Sequence, residues 1–187
     1  MAGHSKWAQI KHKKGATDAA KSRVFSKFAR ELTVVSKQTG GNVSSPQLAA
    51  VVARAKAANM PKDNIDRAIA KGQSKEANDL EQVVYEFYGP GGIAIIANAL
   101  TDSRNRTTQE IKLILTKNDF ELGTPGSASW AFTKSPDGRF RANEPLMDIA
   151  GADEEKLTRI LELLDEQDDV QEVSTNARGY ESTADDE

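Results

Sequence analysis

His4 and His12, the two histidines of the chain, share its opening stretch with Lys6, Trp7, Lys11, Lys13 and Lys14, and no acidic residue interrupts them. Imidazoles titrate near neutrality, so this pair could act as acid and base in cleaving RNA. Such work needs rings held at fixed geometry, and nothing in the segment predicts a scaffold to hold them. A metal is no better served, with two histidines, no cysteine and no carboxylate between them. Gly89-Pro90-Gly91-Gly92 has no Lys-Ser/Thr and helix after it, so it reads as a turn rather than a phosphate cradle. Serine-nucleophile, zinc-protease and dinucleotide fingerprints are missing as well. The expectation is no enzyme, no cofactor and no small-molecule substrate. What the opening stretch does offer is cations for phosphate oxygens and an indole for stacking, the two requirements of nucleic-acid contact. The competing reading is a basic terminus whose Trp7 and Ile10 merely anchor it to its own domain.

The charge distribution favours the first reading. Up to Leu80 the chain holds fifteen Lys/Arg against six Asp/Glu, a net of +9, and from Glu81 onward ten against twenty-two, a net of −12. The overall −3 and a pI near 5.6 conceal that division. A polyanion should be drawn to the first half and repelled by the second, so charge would orient binding as well as drive it. At 187 residues and 38% hydrophobic the chain can bury one good core or two small ones. No apolar run reaches the ~20 residues of a membrane span and no signal-peptide core opens the chain. With cysteine absent as well, a cytoplasmic protein with no membrane partner is expected.

The elements that must position these residues follow from periodicity. Thr17 is a candidate N-cap, and Val24, Phe25, Phe28, Leu32 and Val35 form one apolar stripe at helical spacing. Arg23, Lys27, Arg30 and Lys37 lie on another face of that helix, with Lys21 near its start. A basic face continuous with the arm is expected. Ser45-Pro46 opens a second helix and Met60-Pro61 precedes a short third one. Gln73–Asp79 reads as a linker. Beyond it, residues 83–88 and 93–97 read as strands joined by the glycine-rich turn. Thr101–Thr107 leads into a helix with Ile111, Ile114 and Leu115 inward. Ala128, Trp130 and Phe132 alternate as in a half-buried strand, and Leu146–Ile149 reads as another. A last helix carries Leu157, Ile160, Leu161 and Leu164, and 170–174 closes the sheet. The predicted fold class is α+β: a basic arm with a three-helix domain over 1–77, then an α/β domain over 78–175 with a mixed or antiparallel sheet and two helices. A polar, disordered tail over 176–187 ends the chain.

Arg104 and Arg106 precede or enter a helix's first turn, where the dipole disfavours cations. They read as a second phosphate-contacting loop. The alternative has Asp102 capping the helix while the arginines pair with acids such as Glu110. Asp168-Asp169-Val170-Gln171 reads as a turn with solvated carboxylates.

Five motifs carry a resemblance. They are Gly-His-Ser-Lys-Trp with Ile-Lys-His-Lys-Lys at the start, Ala58–Ile65, Tyr88–Gly92, Thr101–Thr107 and Asp168–Gln171. In that order they resemble the YebC/PmpR family over nearly the whole chain to Ala177. The family includes bacterial transcriptional regulators described as DNA-binding, a mitochondrial translational activator and ribosome-associated factors. The resemblance therefore implies a regulator of gene expression that binds DNA, or structured or ribosomal RNA. Family members are usually longer, with a third domain inserted after the Trp130 segment. Here Ser135-Pro136-Asp137-Gly138 follows almost at once, so that insert is expected to be missing. The predicted nucleic-acid contacts are His4, Lys6, Trp7, Lys11, His12, Lys13, Lys14, Lys21, Arg23, Lys27, Arg30, Arg104 and Arg106. An alternative of another class is a scaffold that engages a protein partner, through its basic surface or its acidic face.

Overall fold

Alternation along β2 (Ala94–Thr101) organises the second half of the molecule, because each of its faces meets a different partner. A computed structural model describes residues 6–13, 17–74, 79–136 and 138–184. β1 (Glu81–Tyr88), β2 and β5 (Val170–Thr175) form a sheet in the order β1-β2-β5. β5 runs antiparallel to β2, with Ile95 opposite Thr175 and Asn98 opposite Glu172, and the register slips between Asn98 and Ala99. A 3-10 turn at Pro90–Gly92 joins β1 to β2. Gly91 and Gly92 sit at φ 65° and 77°, a region that costs glycine nothing and other residues a steric penalty.

On one face Val83, Tyr85 and Phe87 of β1 join Ile95, Ala97 and Ala99 of β2. They pack under Ile111 and Leu115 of α5 (Arg104–Thr116) and Leu157, Ile160, Leu161 and Leu164 of α6 (Gly151–Asp165). Burying each such aliphatic side chain is worth about 1.5–3 kcal/mol, so this layer is the main stabiliser of its unit. On the opposite face Ala94 and Ile96 meet Ala128, Ala131 and Phe132. There β3 (Phe132–Lys134) and β4 (Phe140–Ala142) form an antiparallel hairpin, Phe132 opposite Ala142.

The first helix, α1 (Lys6–Lys13), belongs to this same compact unit, which comprises residues 1–15 and 82–187. The other unit, residues 16–81, is a three-helix body. Its helices are α2 (Asp18–Gln38), α3 (Pro46–Ala57) and α4 (Lys62–Gln73). Thr17 caps α2 by accepting from the Ala20 N–H, and Ser45 caps α3 from the Leu48 N–H. α2 and α4 approach closely because Gly72 has no side chain: a Cβ there would stand 2.5 Å from the Thr33 carbonyl oxygen. Thr33 and Ser36 donate to the Ala68 and Ile69 carbonyls across this contact, at 3.2 and 2.8 Å.

The α+β class expected from the sequence is what the structure shows. Several element readings are corrected. The arm was grouped with the three helices, whereas Lys6–Lys13 is a helix packed within the α/β unit. Residues 129–131 form a 3-10 turn rather than a strand. Leu146–Ile149 contributes only a single parallel bridge, Met147 to Ala177. The segment read as a disordered tail is ordered from Asn176 to Ala184, with Asn176, Ala177, Tyr180 and Thr183 buried. Its order comes from Thr183, whose hydroxyl accepts from the Val173 N–H, and from Thr175, whose hydroxyl donates to the Tyr180 carbonyl. Asp79, the end of the presumed linker, pairs with Lys37.

Candidate nucleic-acid interface

Of the arm's described side chains, Trp7 is buried and Ile10 and Lys11 are half-buried, whereas Lys6 and Gln9 are exposed. Trp7 is 3% exposed and packs in the main core with Tyr180 and Ala177, and its backbone N–H donates to the Gly179 carbonyl at 3.1 Å. Expected as an exposed stacking indole, Trp7 is an anchor, the role considered for it alongside Ile10. Lys6 pairs with Glu154, which also accepts from the Tyr180 hydroxyl at 2.8 Å. The hydrogen bond from Lys6, then that from Tyr180, holds the Glu154 carboxyl below its ordinary range, and the same bond raises Lys6. Lys11 donates to the Thr183 carbonyl at 2.9 Å, with Asp165 at 3.9 Å. An acid-free leader thus meets the acidic half of its own chain through α6. His4 and Lys14, and the side chains of His12 and Lys13, lie outside the described residues.

The three-helix unit keeps its cations on α2. At 100° per residue, Arg23, Lys27 and Arg30 fall opposite buried Leu32, as the sequence pattern predicts. Arg23, Lys27 and Arg30 are half-buried and Lys21 is exposed. Nearby, Arg54 of α3 pairs with Glu31 and lies 6.0 Å from the Phe28 ring centre, so it braces the helix. Sequence reasoning passed over Lys56, Lys62, Arg67 and Lys71, all exposed on α3 and α4 of the same unit. Their signal was present only as scattered lysines and arginines among Asp63 and Asp66.

The first turn of α5 carries both arginines, in different surroundings. Arg106 donates to Asp102 at 2.8 Å and to Asp169 at 3.1 Å. Asp169 is buried and also accepts from the Thr107 hydroxyl at 2.6 Å. The bond to Asp169, followed by that to Asp102, raises Arg106 above the ordinary guanidinium value. Arg106 therefore closes a structural network, and the solvated-carboxylate reading fails at Asp169. Asp102 does not cap the helix; Ser103 occupies that position. Arg104 remains exposed.

A second cluster went unread. Glu86 of β1 is 6% exposed yet ionised, because three backbone N–H groups converge on it. Those of Gly126, Ala128 and Ser129 each donate at 2.8 Å. Burial pushes its carboxyl up, but these bonds outweigh burial and leave it below the usual range. The pinned loop presents Trp130, which is 66% exposed although an alternating strand would have half-buried it. Its indole N–H donates to the Tyr88 hydroxyl at 2.7 Å, and that hydroxyl donates to the Ser127 carbonyl at 2.6 Å. Among the described residues, no group of three or more His, Cys, Asp or Glu is placed to hold a metal. No described helix is long and apolar enough to cross a membrane.

Comparison with known proteins places this geometry. A family model described as the TACO1/YebC protein N-terminal domain matches residues 5–75, and one described as the TACO1/YebC second and third domain matches residues 80–145. The first spans the arm together with the three helices, although the arm's contacts lie in the other unit. A probable transcriptional regulatory protein of Desulforapulum autotrophicum is 49% identical over 136 residues, which is 72% of this chain and 55% of that protein. The chain thus spans about half the length of that relative. One of the same name from Thermotoga petrophila is 41% identical over 197 residues, covering 98% of this chain and 78% of the relative. The crystal structure of a conserved hypothetical protein from Aquifex aeolicus superposes with a TM-score of 0.80 at 31% identity, covering 93% of this chain and 97% of that one. With both sequence and fold in agreement from end to end, the chain belongs to the TACO1/YebC family.

Proposed function

We propose that this protein is a nucleic-acid-binding regulator of gene expression that works by contact rather than catalysis. The cationic side of α2 is its principal phosphate-binding face. The observation that supports this is the helix's division: Leu32, Thr33 and Ser36 face inward while Arg23, Lys27 and Arg30 lie on the other side. Lys21 extends that set along α2, and the exposed Arg104 with His4, His12, Lys13 and Lys14 are further contact residues in the other unit. Lys6 and Lys11 act differently, by holding the arm in place. Contacts to phosphate fix position and supply affinity with little sequence information. The relatives' name, probable transcriptional regulatory protein, supports DNA as the target. Ribosomal RNA is the chemically equivalent alternative.

Substituting all three α2 cations, R23Q/K27Q/R30Q, should weaken duplex DNA binding at least about tenfold at ~0.1 M salt while leaving the helical signal intact. Undiminished affinity in that variant would overturn the assignment of α2. Cosedimentation of the intact protein with ribosomes, set beside promoter DNA in the same buffer, decides between the two targets.

A further inference from the structure

We infer that Trp130 and Tyr88 form a stacking platform for unpaired bases of single-stranded RNA, a second binding site in the unit that does not contain α2. Solitary exposed apolar side chains are ordinary, but this pair is not solitary. Both polar handles are satisfied within the protein, indole to hydroxyl and hydroxyl to the Ser127 carbonyl. The ring surfaces therefore remain for a ligand. Both rings also stand on a fixed base. Glu86 pins the loop through three N–H donors, and the Asn143 amide donates to the Trp130 carbonyl at 3.3 Å. Little ordering entropy is left to be lost on binding, which is what distinguishes a built platform from a stray aromatic.

Charge selects the occupant. Between Ala128 and Asn143 the chain carries Lys134, Arg139 and Arg141 against the single acid Asp137, in a half whose net charge is −12. Arg141 stands opposite Thr133 across the β3–β4 pair, and Thr133 donates to the same Asn143 that holds Trp130. Arg141 donates to the Ser135 hydroxyl at 3.1 Å, so the basic hairpin adjoins Trp130 through Asn143, which holds the Trp130 backbone carbonyl. An aromatic plane followed in the chain by a basic hairpin suits bases and their connecting phosphates. Duplex DNA keeps its bases stacked on one another, whereas RNA loops and single strands present them unstacked. That difference selects an unpaired strand over a duplex at this site.

The inference shares with the proposed function only the class of ligand, and it does not depend on α2. The test measures binding of a single-stranded RNA and a DNA duplex of equal length, with intrinsic fluorescence as a second readout, since Trp7 is buried and Trp130 exposed. RNA should quench the emission. Trp130→Ala should weaken RNA binding about tenfold and leave duplex binding unchanged, and Trp130→Phe, which keeps a ring, should retain most of the affinity. Unchanged RNA affinity in Trp130→Ala, or equal loss for RNA and duplex, overturns the platform. So does a change in sedimentation of Trp130→Ala without RNA, which would assign the aromatic pair to contact between copies. None of these results alters the α2 reading, which fails only if R23Q/K27Q/R30Q binds duplex normally.

Discussion

The two tryptophans show how far residue type alone can mislead. Trp7, in a run of lysines, is a core residue; Trp130, in an alternating pattern, is 66% exposed. The contacts responsible are remote in sequence: Gly179 and Tyr180 for Trp7, Tyr88 and Glu86 for Trp130. Trp7→Ala should therefore cost about 3–5 kcal/mol in denaturant unfolding. Trp130→Ala should stay within about 1 kcal/mol. Glu86 was equally illegible, since no local pattern shows that three amides will converge on it. Glu86→Gln replaces one accepting oxygen with an amide that faces donors, and should destabilise by about 1–3 kcal/mol. Burial raises this carboxyl and the amides lower it further than burial raises it, so its folded value lies below its unfolded one. Its stabilisation is full above the ordinary carboxylate range and is lost as pH falls through the depressed value. Unfolding measured from neutral to acidic pH should show Glu86→Gln converging on the parent protein at the acid end.

Among the elements, helices α2 to α6 were readable because their 3.6-residue stripes are local, as are the caps of α2 and α3. The arm was not. Its docking rests on Lys6 with Glu154 and Tyr180, and on Lys11 with the Thr183 carbonyl, partners well over a hundred residues away. The pair should make this docking pH-dependent at both ends. Glu154 is held low and Lys6 high by their mutual bond. The contribution is therefore complete between their ordinary values, lost in acid as Glu154 protonates and lost in base as Lys6 deprotonates. Hydrogen exchange of the Trp7 amide, which donates to Gly179, reports it directly. Glu154→Gln should lower that amide's protection relative to intrinsic exchange near neutrality and remove the loss of protection in acid, while amides in α2 keep theirs.

For the molecule as a whole, the division into a basic and an acidic half was visible from charge counts, and so was the cationic side of α2. What counts could not reveal is that Lys6 and Lys11 pair with acids of their own chain, or that Arg106 is tied to buried Asp169. The proposed phosphate-binding face thus contracts from arm, helix and loop to the helix. Affinity for duplex DNA measured across a range of salt concentrations tests this most directly. Each neutralised phosphate contributes about −0.9 to the slope of log affinity against log salt. The intact protein should show a steep slope, and R23Q/K27Q/R30Q one shallower by about 2–3. Parallel lines for the two proteins would contradict the assignment of α2 as the binding face.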